Sequence, residues 1–229
     1  MLTSLVSGKD VLCTDEFSCS AKETVCITGH REKSILPYNN DPLYKNMTVT
    51  AVKLMLYRYI DMAAERGYVN FISGLATGAD LWAAEYILEK KSHGSSIRLI
   101  GAMPYLRHAE GFSEYNRRLL CRVENGADVL VTVSSDPNAV YSKFESGKYL
   151  YRDRNYFMVD HSSAVIAFLN SGASFSGTSQ TVNYAYRSGR RICRFGTEDI
   201  YRIIDDSGAD IRSIKRDISF MENVFDSPY

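Results

Sequence analysis

The stretch FISGLATGADLWAAE, Phe71 to Glu85, decides the fold class. It begins with an apolar run, passes through Gly74 and Gly78, and continues into ADLWAAE, whose composition is typical of a helix. An apolar strand that ends on a glycine loop and leads directly into a helix is the repeating unit of parallel α/β sheets. Asp80 then has two interpretations: it caps the predicted helix, or it accepts hydrogen bonds from the hydroxyl groups of a ligand.

The alternation of strand and helix continues on both sides of this stretch. Strands are predicted within 24–31, 68–74, 96–104, 128–134, 164–170 and 190–195, and helices within 48–66, 79–91, 109–127, 151–162 and 179–189. This order predicts a single α/β domain with a Rossmann-like parallel sheet and helices on both faces. We expect an N-terminal extension over 1–23, the domain over 24–196, and a helical or irregular tail over 197–229, with an irregular segment over 135–150.

Composition narrows the function classes. Lys plus Arg equals Asp plus Glu at 27 each, so the net charge gives no general attraction to nucleic acid or to anionic membranes. The five cysteines match neither a zinc pattern nor a paired redox motif, so we expect reduced thiols and no metal site. Because no charged leader is present and no apolar run approaches transmembrane length, we expect a cytoplasmic protein without a membrane partner.

Three glycine-containing loops follow predicted strands. The carboxyl ends of parallel strands meet at one edge of a sheet, where such folds bind ligands. Glycine allows close approach to an anion, and a helix N-terminus stabilises phosphate. Neither GxGxxG nor GxxxxGK[ST] is present, so an ordinary dinucleotide or P-loop site is not supported. The loops contain Thr28, Gly29, His30 and Arg31; Ser73, Gly74, Thr77, Gly78 and Asp80; and Gly172, Gly177, Thr178 and Ser179.

The predicted helix over 151–162 adds two arginines near its start, Arg152 and Arg154. An arginine fork binds phosphate or carboxylate through two parallel hydrogen bonds. The alternative interpretation is a solvated helix face, with His161 capping the C-terminal end of the helix. The sequence leaves both interpretations open.

Four stretches, in this order, resemble the YpsA-like branch of the SLOG superfamily, which also contains the DNA-processing protein of natural transformation and the Lonely Guy hydrolases. They are CITGHR, FISGLATGADLWAAE, RNYFMVDHSSAVIAF and SGTSQTVNYAYRSGRRI, and they span residues 26 to 193. The resemblance implies a Rossmann-like fold that binds a nucleotide or an ADP-ribose type ligand at the strand ends. It also implies site positions at Gly78 and Asp80, and homo-oligomers formed through helices that flank the site.

The resemblance fails at one catalytic position. Lonely Guy enzymes cleave the N-glycosidic bond of a nucleoside monophosphate with an arginine, whose place Arg154 takes, and with a glutamate in PGGxGTxxE. Here Thr181 stands at the position of that glutamate, and threonine supplies no carboxylate for this chemistry. If a bond is cleaved, the catalytic candidates are therefore Arg154 and a carboxylate from another loop, Glu85 or Asp80.

Our first hypothesis is a ligand-binding module, a sensor or regulator that recognises a nucleotide-derived small molecule. The alternatives are a nucleoside monophosphate phosphoribohydrolase and a nucleic-acid or protein-partner module; the balanced charge argues against nucleic acid. No cofactor is expected beyond the nucleotide-type ligand itself. The expected ligand-binding residues are Gly29, His30, Arg31, Ser73, Gly74, Gly78, Asp80, Arg154, Gly177, Thr178 and Ser179.

Overall fold

The computed structural model describes residues 2–140, 149–170 and 176–226. The strands are β1 (Leu2–Thr3), β2 (Asp10–Cys13), β3 (Thr24–Gly29), β4 (Asn70–Ser73), β5 (Arg98–Met103), β6 (Val129–Thr132), β7 (Ala164–Phe168) and β8 (Arg191–Phe195). The α-helices are α1 (Lys45–Glu65), α2 (Ala79–Ser92), α3 (Glu114–Gly126), α4 (Leu150–Asp160), α5 (Gly177–Arg187), α6 (Thr197–Asp206) and α7 (Ile211–Ser219).

The described strands form one sheet in the order β1-β2-β6-β5-β4-β3-β7-β8. All neighbouring pairs run parallel except β1 and β2, which are antiparallel. From β3 the chain proceeds outward through β4 and β5 to β6, and then returns to the other side of β3 to form β7 and β8. The order therefore reverses between β3 and β7, which is where doubly wound sheets bind ligands.

Helices cover both faces of the sheet, as the sequence predicts. Alternate residues of the central strands belong to two separate apolar cores, because successive side chains of a strand point to opposite faces. In β3, Val25 and Ile27 pack into the core beneath α1 and α2, whereas Cys26 packs into the core beneath α4 and α5. Burial on both faces explains why these strands are continuously apolar in sequence. The predicted α/β Rossmann-like fold is confirmed.

The two ends of the chain are more ordered than their sequences indicate. Residues before 24 contribute β1 and β2 to the sheet edge, and Ser4 Oγ donates to the buried Glu124 Oε2 at 2.5 Å. The tail forms α6 and α7, which pack against α1. The helix predicted within 109–127 begins at Glu114, and residues 104–113 form a loop instead. Half of the predicted irregular segment over 135–150, residues 141–148, lies outside the described residues, as does Gly172.

Candidate functional site

A cavity of about 300 Å³ lies at the carboxyl ends of β3 and β4, beside the first residues of α5. It therefore adjoins the point where the strand order reverses. Residues from all three glycine loops and from α4 line it together. Those among the predicted ligand-binding residues are Gly29, His30, Arg31, Asp80, Arg154, Gly177 and Thr178.

Asp80 and Arg154 form a buried ion pair at the wall of this cavity. Arg154 Nη1 lies 3.5 Å from Asp80 Oδ2, and both side chains are less than a tenth exposed. The same Nη1 donates a hydrogen bond to the carbonyl of Gly74. Arg154 Nε is also buried and has no acceptor within the described residues. The guanidinium is thus fixed in place and keeps one donor without a partner.

Burial controls the charge of this pair. It raises the pKa of Asp80 to about 6, and the adjacent positive charge of Arg154 opposes that rise. Burial also lowers the pKa of Arg154, although a guanidinium stays protonated at neutral pH. At neutral pH, Asp80 is therefore a carboxylate that accepts hydrogen bonds, and below about pH 6 it becomes a neutral acid.

For Asp80 and for Arg154, the structure excludes one of the two interpretations that the sequence left open. The N-cap of α2 is Gly78 without any side-chain cap, so Asp80 does not cap its helix and instead buries its carboxyl group beside the cavity. Arg154 is buried, so it does not belong to a solvated helix face; Arg152 does, pairing with Asp153 at 2.8 Å. His161 is the C-cap of α4, with Nδ1 2.8 Å from the carbonyl of Phe157.

Two glycines of the second loop make room for other groups of the protein, and neither lines the cavity. A Cβ atom on Gly74 would overlap the Arg154 guanidinium and lie 2.6 Å from Asp80 Oδ2. Gly78 has a φ of +95°, and a Cβ there would lie 2.7 Å from the His30 carbonyl oxygen. Leu75, between them, has a φ of 56°, which is costly for a branched side chain. Such strain is found most often beside functional sites.

His30 connects the first and third loops. Its Nε2 accepts a hydrogen bond at 3.1 Å from the backbone N–H of Asn170, the residue just beyond the leucine that follows β7. Burial lowers the pKa of His30, which favours the neutral imidazole that this acceptor role requires. The imidazole also contacts the Phe168 ring edge-on, with 5.8 Å between centroids. His30 therefore positions the strand ends around the cavity as well as lining it.

The N-terminus of α5 presents backbone donors to the cavity. Ser176 is the N-cap, and its hydroxyl accepts from the N–H of Ser179 at 3.0 Å. The amides of Gly177 and Thr178 donate to no acceptor within the described residues, and both residues line the cavity. Among the described residues, a Cβ on Gly177 would meet nothing closer than Asn155 Nδ2 at 4.0 Å. The described residues therefore leave space beside Gly177, and the helix dipole favours an anion at this helix end.

Besides Gly74 and Gly78, four further residues named from the sequence lie away from the cavity lining. Ser73 Oγ donates to the Asp80 carbonyl at 2.8 Å, and Ser179 Oγ donates to the Ser176 carbonyl at 2.8 Å. Glu85 faces α3, where its carboxylate pairs with Arg122 at 2.8 Å. Thr181 Oγ1 donates to the Gly177 carbonyl within its own helix. The structure therefore does not bring Glu85, one of the catalytic candidates, to Arg154.

Several lining residues were not singled out from the sequence: Ser34, Ala76, Tyr151, Asn155 and Ser176. Tyr151 and Asn155 lie three residues before and one residue after Arg154 in α4, so helical spacing places all three on one face. This spacing is the signal that could have found them. Ser176 could have been found as the serine that immediately precedes the predicted helix start.

Within 2–140, 149–170 and 176–226, no cluster of three His, Cys, Asp or Glu side chains could hold a metal ion. Over the same residues, no helix is long and apolar enough to cross a membrane.

Comparison with known proteins identifies the family of this chain. A family model described as the YspA SLOG family, YpsA, matches residues 25–193. The chain belongs to this SLOG family. The match begins within β3, ends within β8 and includes every predicted site residue, so the resemblance noted from the motifs is confirmed.

Two bacterial relatives illustrate how far this SLOG chain has diverged. It is 25% identical over 145 residues to a UPF0398 protein of Bacillus thuringiensis (strain Al Hakam), which covers 63% of this chain and 73% of the relative. It is 28% identical over 151 residues to the uncharacterized SPbeta prophage-derived protein YoqJ of Bacillus subtilis (strain 168), covering 63% of this chain and 85% of the relative. Neither name states a ligand or an activity.

Proposed function

We propose that this SLOG protein binds a nucleotide-derived small molecule, of the nucleoside phosphate or ADP-ribose type, and acts as a sensor or regulatory module. One observation carries the proposal: the open N-terminus of α5, with the amides of Gly177 and Thr178, shares a cavity with two arginines and a buried carboxylate. Backbone amides and arginines are the groups that proteins use to hold phosphate.

Each group has a role in this proposal. The amides of Gly177 and Thr178 bind phosphate oxygens, and Arg31, which forms no ion pair within the described part of the chain, neutralises them. Arg154 adds its positive charge at the cavity wall, and Asp80 accepts from ribose hydroxyls. A cavity of about 300 Å³ lies at the lower end of the range of small-molecule sites, about 300–1,000 Å³.

The alternative function is hydrolysis of an N-glycosidic bond. It depends on which carboxylates lie at the cavity. Asp80 is the one acidic side chain in the described cavity lining, and Arg154 holds it by an ion pair. Cleavage of this bond needs a carboxylate that stabilises the developing cation or activates water. With Glu85 paired to Arg122, binding without cleavage is the function better supported.

The experiment compares two variants of Gly177 in a calorimetric titration with AMP and ADP-ribose. The space at Gly177 accepts either aspartate or asparagine, and an acidic residue at a helix start stabilises the helix. Gly177→Asp places a negative charge where the phosphate is expected, whereas Gly177→Asn has nearly the same shape without that charge. We expect Gly177→Asp to abolish binding and Gly177→Asn to retain most of it.

Two outcomes would overturn the proposal. One is that no nucleotide in a broad panel releases heat or raises the unfolding temperature of the wild-type protein. The other is chromatographic detection of free base after incubation with nucleoside monophosphates, which would establish the hydrolase instead. A cytoplasmic location and a homo-oligomeric state remain predictions, and size-exclusion chromatography with light scattering tests the second.

A further inference from the structure

The loop between β3 and α1, residues 30–44, forms one side of the candidate site and is long for a connection in a compact domain. Arg31 and Ser34, which both line the cavity, lie near its start. Arg31 immediately precedes a single 3-10 turn, Glu32–Ser34, and it is exposed together with every residue of that turn. The position of Arg31 therefore depends on how the two ends of the turn are held.

The start of the turn rests against the second glycine loop. A Cβ on Gly78 would lie 2.8 Å from Arg31 Cα and 2.7 Å from the backbone nitrogen of Glu32, so these two segments are in direct contact. Within the turn, the N–H of Ser34 donates to the carbonyl of Arg31 at 2.8 Å. At the far end, Ile35 is 1% exposed and packs into the apolar core.

Beyond this buried isoleucine, α6 holds the loop. Tyr201 Oη donates to the carbonyl of Leu36 at 2.9 Å and lies 3.2 Å from the carbonyl oxygen of Pro37. Tyr38 Oη in turn donates to the carboxylate of Asp205, one helical turn further along α6. The Tyr38 and Tyr201 rings meet edge-on, with 5.7 Å between centroids. We call these five residues the α6 clasp: Leu36, Pro37, Tyr38, Tyr201 and Asp205.

The clasp acts where the backbone of the loop is least favourable. Asn39 and Asn40, immediately after Tyr38, both have left-handed φ values, 54° and 56°. Asparagine tolerates this conformation better than most residues do, but it still favours the right-handed region. The N–H of Tyr38 also donates to Thr48 Oγ1 in α1, at 3.0 Å. Hydrogen bonds from α1 and α6 thus fix the loop just before its left-handed residues.

The part of the clasp in α6 has no role assigned by the family resemblance. The family model matches residues 25–193, and α6 begins at Thr197. Tyr201 and Asp205 also lie outside the cavity lining, so neither contacts a ligand held there. Any effect of these two side chains on binding therefore passes through the loop.

We propose that Tyr201 and Asp205 are positioning residues of the ligand site, which hold the turn after Arg31 through the α6 clasp and so make the affinity for phosphate depend on α6. This inference rests on the proposed function and adds a C-terminal element to it. A loop that is ordered only when the ligand arrives costs conformational free energy at that moment, whereas a loop held in advance avoids this cost. Releasing the clasp therefore weakens binding without removing any group that contacts the ligand.

The test is a double-mutant cycle measured by calorimetric titration of the full chain with AMP. Tyr201→Phe keeps the ring and removes the hydroxyl that holds the loop, and Arg31→Ala removes the guanidinium that the loop positions. The matched control is Tyr86→Phe, which removes a hydroxyl that donates to Asp61 at 2.8 Å between α1 and α2. Unfolding temperatures establish that each variant is folded. Amide hydrogen exchange of the loop reports whether it is released.

We expect Tyr201→Phe to weaken AMP binding about three- to tenfold and to speed amide exchange in residues 36–41, since one hydrogen bond to the loop is lost. Asp205→Ala, which removes the acceptor of the Tyr38 hydroxyl, should act in the same way, and Tyr86→Phe should change neither quantity. Combined with Arg31→Ala, Tyr201→Phe should weaken binding less than about twofold further, because its hydroxyl acts through Arg31.

Three results would overturn the inference while the proposed function stands. One is AMP affinity in Tyr201→Phe and Asp205→Ala equal to that of Tyr86→Phe. Another is the same loss from Tyr201→Phe with and without Arg31, which is the result of a merely structural role. The third is unchanged amide exchange in residues 36–41. If the wild type binds neither AMP nor ADP-ribose, the proposed function fails and this inference fails with it.

Discussion

Replacing Gly74 by alanine tests the central ion pair without removing either charge. The new Cβ would occupy the position of the Arg154 guanidinium, so the arginine must leave Asp80 and the carbonyl of Gly74. Loss of one partner of a buried pair costs about 3–5 kcal/mol, out of a total stability of about 5–15 kcal/mol. Gly74 does not have a positive φ, so the cost comes from the contact and not from backbone strain.

The matched control is Gly177→Ala. The space there is open to 4.0 Å, so alanine should leave stability within about 1 kcal/mol of wild type or raise it slightly. Trp82, the single tryptophan, is buried in α2 two residues after Asp80, and its fluorescence in urea reports unfolding. We expect the urea midpoint of Gly74→Ala to fall by at least about 1 M. A midpoint within experimental error of Gly177→Ala would refute the placement of Arg154 over Gly74.

Three further predictions concern the pKa values of Asp80 and His108, the catalytic candidate Glu85, and the N-terminal strands. Because burial raises the pKa of Asp80 from 3.8 to about 6, its contribution to stability is complete below pH 3.8 and is lost as the pH rises through 6. Burial lowers the pKa of His108 from 6.5 to about 4, so its contribution is complete above pH 6.5 and is lost as the pH falls through 4. The two contributions oppose each other in the wild type. The free energy of unfolding from urea titrations should therefore rise between pH 4 and 6.5 in Asp80→Asn and fall in His108→Phe, each by on the order of 3 kcal/mol, and parallel profiles would contradict both assignments. Glu85→Gln should leave nucleotide affinity by calorimetry unchanged, since Glu85 faces Arg122, and a tenfold loss would return it to the site. Ser4→Ala should lower the free energy of unfolding by about 1.5–3 kcal/mol, because it leaves the buried Glu124 without its hydroxyl donor; a change under about 0.5 kcal/mol would show that β1 and β2 are not anchored there.

The fold could be predicted because its signals are local. The central strands are continuous apolar runs, and their loops contain glycine just before a helix, so the order of strands and helices is visible in the sequence. The two N-terminal strands were missed because Leu2–Thr3 and Asp10–Cys13 are too short to show a period. The register of β2 depends on pairing with β6, which lies more than a hundred residues away in sequence, and β1 pairs with β2.

The site could be predicted only in part, because contacts between loops are not visible in a local pattern. The three loops were identified, but the roles of Gly74 and Gly78 were not, since these depend on Arg154 and on His30 from other elements. Helix periodicity alone did not show that Glu85 points toward α3. The loop between β5 and α3 was predicted only in part because residues 109–113 were included in a predicted helix, whereas α3 begins at Glu114, after the N-cap Ser113.

The most direct test of the nucleotide site is a crystal structure of the protein soaked with ADP-ribose. If the site is as proposed, phosphate oxygens lie about 3 Å from the backbone nitrogens of Gly177 and Thr178, with a ribose hydroxyl donating to Asp80. Electron density for the ligand elsewhere on the protein, with this cavity filled by water alone, would contradict the account.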